Sequence, residues 1–323
     1  MTTVNTVLGP VAADDLGVTL VHEHLVFAYL GWECDAMASP YDRETAASAC
    51  VEALKEAKNC GLKTLVDATA TDMGRDVELE KMVSNRLGIN IICATGFYTE
   101  KLGKAGYFKE RSMYYDIVAE LCETMVKEIT HGIGDTGIKA GVIKVGTGHA
   151  RISPYEEKLL RAAARAQKET DVPIITHTEG GTMGPEQADL LISEGADPKR
   201  IVIGHMCGNS DLSYHVTVLD KGVNIAFDRL GIDSLFPDRL RKACLIGLIG
   251  SGYTDKIFLS QDFAAYRMGR PLEFSDTLKQ KLVNWKYTHV FNNIIPALKE
   301  AGVSQDKINT LMVENPRRLF DGK

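Results

Sequence analysis

The sequence predicts an α/β protein, a (β/α)8 TIM barrel, and three observations carry the prediction. Eight short apolar runs rich in β-branched residues each lead into a longer amphipathic stretch, as parallel strands and their return helices do. The alternation fills all 323 residues without a Pro/Gly/Ser-rich linker or low-complexity segment, so 1–323 reads as one domain. Five of the runs end in a side chain able to bind a metal, act as a base or attack a carbonyl, which is where a barrel of this kind builds its site.

The elements follow in order. The first run, 17–22 (GVTLVH), is succeeded by a helical stretch near 43–60, and the second, 63–68 (KTLVDA), by one near 75–87. After the third run, 89–94 (INIICA), comes a stretch near 112–130, and then the fourth run, 139–145 (KAGVIKV). The next helix, 154–169, is the best specified: Ser153 as N-cap, Pro154 at the first helical position and Glu156 three residues after the cap form a capping box. Runs at 172–177 (VPIITH), 200–205 (RIVIGH), 222–227 (GVNIAF) and 256–261 (KIFLSQ) alternate with helices near 184–194, 211–220, 235–250 and 278–300. A doubly wound open sheet is the competing architecture, but its usual Gly-rich fingerprint after the first strand is absent.

Composition narrows the function. A net charge of −6 and no dense Lys/Arg cluster argue against nucleic acid as a partner. The seven cysteines (34, 50, 60, 93, 122, 207 and 244) are scattered and never spaced as CxxC, which points to reduced thiols. MTTVNTVLGPVAADD lacks the basic start and apolar core of a signal peptide, and no run of about 18 apolar residues could span a bilayer. The expected location is cytoplasmic, with no membrane partner.

The first run raises the central chemical question. In a strand, residues two apart share a face, so His22 and His24 point one way and Glu23 the other. An HxH alone is weak evidence. Runs five and six, however, end in His177 and His205, run four in Lys144 and run eight in Asp262. Barrel interiors favour branched aliphatics and a buried imidazole needs a partner, so this convergence points to metal. His131, His215 and His289 lie in or beside helical stretches and His149 in a GTGH loop, and all four are left out. Lys144 is the odd member, because an ammonium beside divalent cations is repelled. Either it is a catalytic amine that forms a Schiff base, as in lysine-dependent aldolases, or it has reacted with carbon dioxide to give an anionic carbamate that bridges two metals.

The pattern of HxH, Lys, His, His and Asp after strands one, four, five, six and eight resembles the amidohydrolase superfamily. "VHEH", "IKVGT", "ITHTE", "IGH", "SQD" and "ENPRRLF" look like the phosphotriesterase family within it, over 17–320. The resemblance implies a metal-dependent hydrolase of ester bonds. By it, His22, His24 and Asp262 bind one metal and His177 and His205 the other, with N6-carboxylated Lys144 and a hydroxide bridging both. Zinc is the first expectation; cobalt, iron and manganese also occur in the family. Two such ions lower the pKa of a bridging water and polarise the oxygen under attack. Asp262 then serves as general base, and Glu23 as a structural partner.

Two features resemble the lactonase branch rather than the classical triesterases: Tyr98 in "ATGFY" after strand three and Arg229 in "FDRLGID" after strand seven. They imply a lactone substrate, N-acyl homoserine lactones or anionic lactones included, with phosphotriesters or other carboxylic esters as alternatives. Two features depart from the pattern. After His205 the chain reads MCGNSDLSY in place of an Asp-containing proton shuttle, so Gly208, Asn209, Ser210 or Asp211 occupies the matching position. Cys207, in the same stretch, reads as a buried inert thiol. The segment FAAYRMGRPLEF after Asp262 carries Arg267 and Arg270, two cations able to pair with a carboxylate or phosphate. The family also implies a homodimer, for which Trp32, Met37 and Tyr41 offer an apolar patch or a lid.

Overall fold

The computed structural model describes residues 2–103 and 105–322. It opens with an antiparallel hairpin, β1 (Thr3–Thr6) and β2 (Gly9–Ala12), which the sequence did not signal because its strands are only four residues long and include Pro10. The strands that follow are β3 (Thr19–Phe27), β4 (Thr64–Asp67), β5 (Asn90–Thr95), β6 (Val142–Thr147), β7 (Ile174–Thr178), β8 (Ile201–Ile203), β9 (Asn224–Phe227), β10 (Ile257–Leu259) and β11 (Ala264–Arg267). Each pairs in parallel with the next from β3 to β10, and β11 returns to pair with β3 (Ala264↔His24, Arg267↔Phe27). The expected barrel is present.

Its seam explains why the eighth strand is split. Between β10 and β11 the Asp262 amide donates to the His22 carbonyl (3.1 Å) and the His24 amide to the Phe263 carbonyl (2.9 Å). Glu23, fully buried, accepts at its carboxylate from the Ser260 hydroxyl (2.8 Å) and the amides of Gln261 (2.8 Å) and Phe263 (2.9 Å). Two amides that a regular strand would pair with backbone are therefore held by a side chain, and the chain kinks at Asp262, whose φ is 53°. The structural role expected of Glu23 is this closure.

Below the seam the interior is apolar. Val21, Val66, Ile92, Ala94, Val142, Ile175, Val202, Ala226 and Phe258 pack together, and Val4, Ala13, Leu16, Leu319 and Phe320 plug the amino-terminal end. A register shift between Leu20 and Glu23 lets β3 depart from strict alternation. Val21 joins this lower layer while Leu20 packs outward among the helices, and His22 and His24 still share the inner face.

The helices mostly match their expected places, with the capping box at Ser153 intact. Two differ. The stretch near 112–130 is helical only from Ile117 to Thr130, because Asp116 caps it by accepting from the amides of Val118 and Ala119, and a separate helix that was not expected, Ala105–Arg111, precedes it. The stretch near 278–300 breaks after Lys281 and resumes at Val290 as a π-helical turn leading into Pro296, which has no N–H to offer a regular ladder. In the gap, the Trp285 indole donates to the carbonyls of Gln261 (2.9 Å) and Asp262 (3.2 Å), and the Tyr287 hydroxyl to that of His24 (2.6 Å). The gap is a strap over the seam. No helix among the described residues is long and apolar enough to cross a membrane.

Candidate metal centre

All six residues expected to hold metal meet at the carboxyl ends of the strands, lining one cavity of about 300 Å³. Lys144 and His177 project from β6 and β7, two residues beyond Val142 and Ile175 of the lower layer, as strand alternation requires. His205 and Asp262 stand just past β8 and β10 in left-handed backbone (φ 57° and 53°), a conformation that is costly for non-glycine residues and recurrent at functional sites. One ligand atom from each of His22, His205 and Asp262 lies within 4.8 Å of the others. His24 Nε2 is 2.9 Å from Asp262 Oδ1, and Lys144 Nζ is 2.8 Å from His22 Nε2. The His177 ring stands edge-on to that of His205, centroids 4.6 Å apart.

What orients these rings was only partly foreseen. Asp228, fully buried at the end of β9, reaches His22 Nδ1 with one oxygen (2.6 Å) and His205 Nδ1 with the other (3.0 Å), and also accepts from the His205 amide (2.8 Å). The Thr69 hydroxyl does the same for His24 Nδ1 (2.7 Å). Three imidazoles are thereby fixed with Nε2 turned toward the centre, the arrangement in which histidine commonly binds metal. Asp228 carried the same signal as the others, a carboxylate closing the run NIAF, but sits beside Arg229. Trp285, on the cavity wall, was hidden in the stretch assigned to helix.

The charge states suit a cation. Burial pulls His177 down to about 4 and His205 well below the ordinary histidine value; for His22, burial and nearby Lys144 outweigh the upward pull of Asp228. These rings are neutral and free to coordinate. Burial would raise the Asp262 carboxyl, but His205, Arg229 and the hydrogen bond with His24 outweigh it and hold the group well below the carboxylate range. Burial lowers Lys144 to about 8, which makes its neutral amine accessible near neutral pH. Neutral imidazoles, one ionised carboxylate and a buried amine able to take up carbon dioxide form a donor set that fits divalent metal.

The remaining expected residues sort by distance. Arg229 Nε donates to Asp262 Oδ2 (2.9 Å), and the Tyr98 hydroxyl lies 3.2 Å from His177 Nδ1. Both line the cavity. Of the shuttle candidates, Asp211 caps the helix Leu212–Leu219 and Asn209 accepts from the Asp211 amide, so none is seen on Asp262, whose partners are Arg229 and the histidines. Cys207 is buried, its sulfur accepts from the Arg229 amide (3.3 Å), and burial raises its thiol to about 11, matching the inert reading. The two loop arginines separate: Arg267 lines the cavity, whereas exposed Arg270 pairs with Asp35 (2.6 Å). Tyr41 donates to Asp76 (2.7 Å) and packs on Tyr266, leaving Met37 as the exposed member of the apolar trio. The four excluded histidines stay outside the cluster: His289 pairs with Asp238 (2.6 Å), His215 lies against the Met206 and Asp211 carbonyls, and His131 and His149 are exposed.

Comparison with known proteins agrees with this geometry. The model of the phosphotriesterase family matches residues 2–320. An organophosphorus hydrolase from Deinococcus radiodurans superposes with a TM-score of 0.96 at 44% identity, covering 99% of this chain and 97% of that one. An aryldialkylphosphatase from Saccharolobus solfataricus is 35% identical, with 96% of each chain covered. A phospho-furanose lactonase from Mycoplasmopsis synoviae is 33% identical over 98% of this chain and 92% of its own length. The chain belongs to the phosphotriesterase family and is a metal-dependent hydrolase of ester bonds in small molecules.

Proposed function

We propose that this member of the phosphotriesterase family opens lactones, with phosphotriesters as side substrates. The observation that carries the reading is the placement of Tyr98 and Arg229 beside the histidine–carboxylate cluster, on the floor of a cavity whose upper wall is apolar: Ile232, Leu235, Leu272, Phe274, Leu282 and Trp285. A cyclic ester presents one carbonyl to polar groups and a hydrocarbon ring to that wall. Similar proteins include both a phospho-furanose lactonase and an organophosphorus hydrolase, which supports keeping both activities.

His22, His24 and Asp262 would hold one divalent ion and His177 and His205 a second, with Lys144, carboxylated on Nζ, shared between them. Zinc is the first candidate. Bound there, the pair supplies a water made acidic enough to attack at neutral pH and polarises the ester carbonyl. The protein's own groups do the rest. Asp262 accepts the proton lost by the attacking water; the new C–O bond forms at the carbonyl carbon, the ring C–O bond breaks, and the ring oxygen takes up a proton to give the hydroxy acid. Arg229 keeps Asp262 ionised and aimed inward. The Tyr98 hydroxyl is placed to donate to the carbonyl oxygen as charge builds on it.

A Schiff-base role for Lys144 has less support, because its amine sits against His22 rather than alone in an apolar pocket. Elemental analysis after reconstitution with and without bicarbonate, paired with turnover of γ- and δ-lactones and paraoxon, tests the proposal. About two metals per chain, higher uptake with bicarbonate and faster lactone than paraoxon turnover are expected. A chain that holds metal yet opens no lactone overturns the substrate; borohydride trapping of a carbonyl substrate on Lys144 overturns the chemistry.

A further inference from the structure

Arg267 brings a positive charge to the cavity that no protein group neutralises by contact. β11 places it beside Phe27 across the barrel seam, and its guanidinium lies over two rings, 5.1 Å from the Phe27 centroid and 5.5 Å from that of Trp285. Among the described residues no hydrogen bond or ion pair reaches the guanidinium. Burial depresses its pKa, and the charges that partly offset this, Tyr29 and Asp262, act from a distance. A half-buried cation without a partner is unfavourable unless something else supplies the counter-charge.

The neighbouring cations are already matched. Arg229 is held by Asp262 (2.9 Å), and Arg270 by Asp35 (2.6 Å) outside the cavity. Stacking between Phe27 and Trp285 fixes the guanidinium and leaves its N–H edge for a planar or tetrahedral oxyanion. Position also matters. Ala264 pairs with His24, and Arg267 stands three residues further along, about 10 Å at strand rise. An anion there is a substituent of the substrate, remote from the carbonyl under attack. The apolar wall beyond it (Leu272, Phe274, Leu282) suits one such group rather than a polyanion.

We propose that Arg267 is the anion-recognition residue of this cavity and that the preferred substrates are lactones bearing one carboxylate or phosphate away from the ester. The inference rests on the lactone-hydrolase reading of the same site. Its test measures binding, so that absence of turnover bears on that reading alone. The metal-loaded protein is titrated calorimetrically with two pairs of γ-lactams, which keep the ring and carbonyl but resist hydrolysis. The pairs are pyroglutamate against its neutral amide, and the phosphate ester of 5-hydroxymethyl-2-pyrrolidinone against the free alcohol. In at least one pair the wild type binds the anion about tenfold or more tightly, as expected of a charge-assisted hydrogen bond, and the pair that shows it identifies the anion. R267Q, or R267M if R267Q does not fold, brings the ratio near one; R267K keeps part of it; R270Q keeps all of it. A wild-type ratio near one in both pairs, no measurable binding of any of the four, or a preference that survives loss of Arg267 overturns the proposal, the last by placing the anion on the metals or on Arg229.

Discussion

Two residues separate Val142 from Lys144 on β6 and Ile175 from His177 on β7, and over that one step the barrel interior changes character. Below, the inward side chains are aliphatic or aromatic, plugged by the amino-terminal hairpin and the last helix, and their only requirement is to fill space. Above, nearly every inward group depends on another: Asp228 on His22 and His205, Asp262 on His24 and Arg229, and the seam on Glu23. Left-handed backbone at His205 and Asp262 belongs to the upper layer. The same strands thus carry a layer that supplies stability and a layer that consumes it.

The sharpest way to break this contrast is at Asp262. Asp262→Asn keeps the shape but cannot take a proton, and kcat/KM for any ester or lactone is expected to fall about 10²–10⁴-fold with little loss in melting temperature. Retention of activity within tenfold would make Asp262 structural and the seam, not the chemistry, its purpose. The mirror experiment is Ile175→Ala, two residues below His177. It should cost about 2–5 kcal/mol in urea unfolding while kcat/KM of the folded fraction stays near wild type. If activity falls without a loss of stability, the layers are coupled and the division fails.

An intermediate effect is expected at Asp228, which touches no substrate. Asp228→Asn still reaches both imidazoles but no longer accepts at both oxygens, and chelator competition should show metal affinity about 10–100-fold weaker. Unchanged affinity would mean that the ring orientations are set by packing alone.

Asp228 also marks the limit of what the sequence told. The six residues that meet in the cavity were legible as a group because each closes or directly follows an apolar run, a position where chance and core filling rarely put a histidine. Asp228 ends a run too, yet a carboxylate there serves equally as a cap or turn residue, and only the fold shows it between His22 and His205. The barrel was legible from alternation. Its amino-terminal hairpin and terminal helices were not, because strands of four residues and helices broken by Pro296 and Pro316 carry too little periodicity. The break at 282–289 was invisible for a different reason: Trp285 and Tyr287 bind backbone carbonyls far away in sequence, and no local pattern records that. Of the two loop arginines, the sequence could not choose, since Arg270 finds Asp35 only in three dimensions.

The smallest effect sought is where an outer helix reaches the loops of the upper layer. Glu156 completes the capping box by accepting from the Ser153 amide at Oε2 (2.9 Å), while its Oε1 accepts from the amides of Glu100 (3.1 Å) and Gly148 (3.2 Å), which lie in the loops after β5 and β6. The helix start thus anchors the loop that carries Tyr98. Ser153→Ala removes the cap and the hydroxyl's bond to the Glu100 side chain but leaves both loop amides on Glu156, and should cost about 1 kcal/mol with kinetics near wild type. Glu156→Ala leaves the Ser153 hydroxyl on the backbone amide of residue 156 but removes the reciprocal bond from the Ser153 amide and both loop contacts, so it should cost about 1–2 kcal/mol and also raise KM, because Tyr98 loses an anchor two residues away. The pair separates the roles: equal stability losses with equal kinetics would show that Tyr98 is held by the Asp72 carboxylate on its own amide (2.9 Å), and that the upper layer is anchored from within.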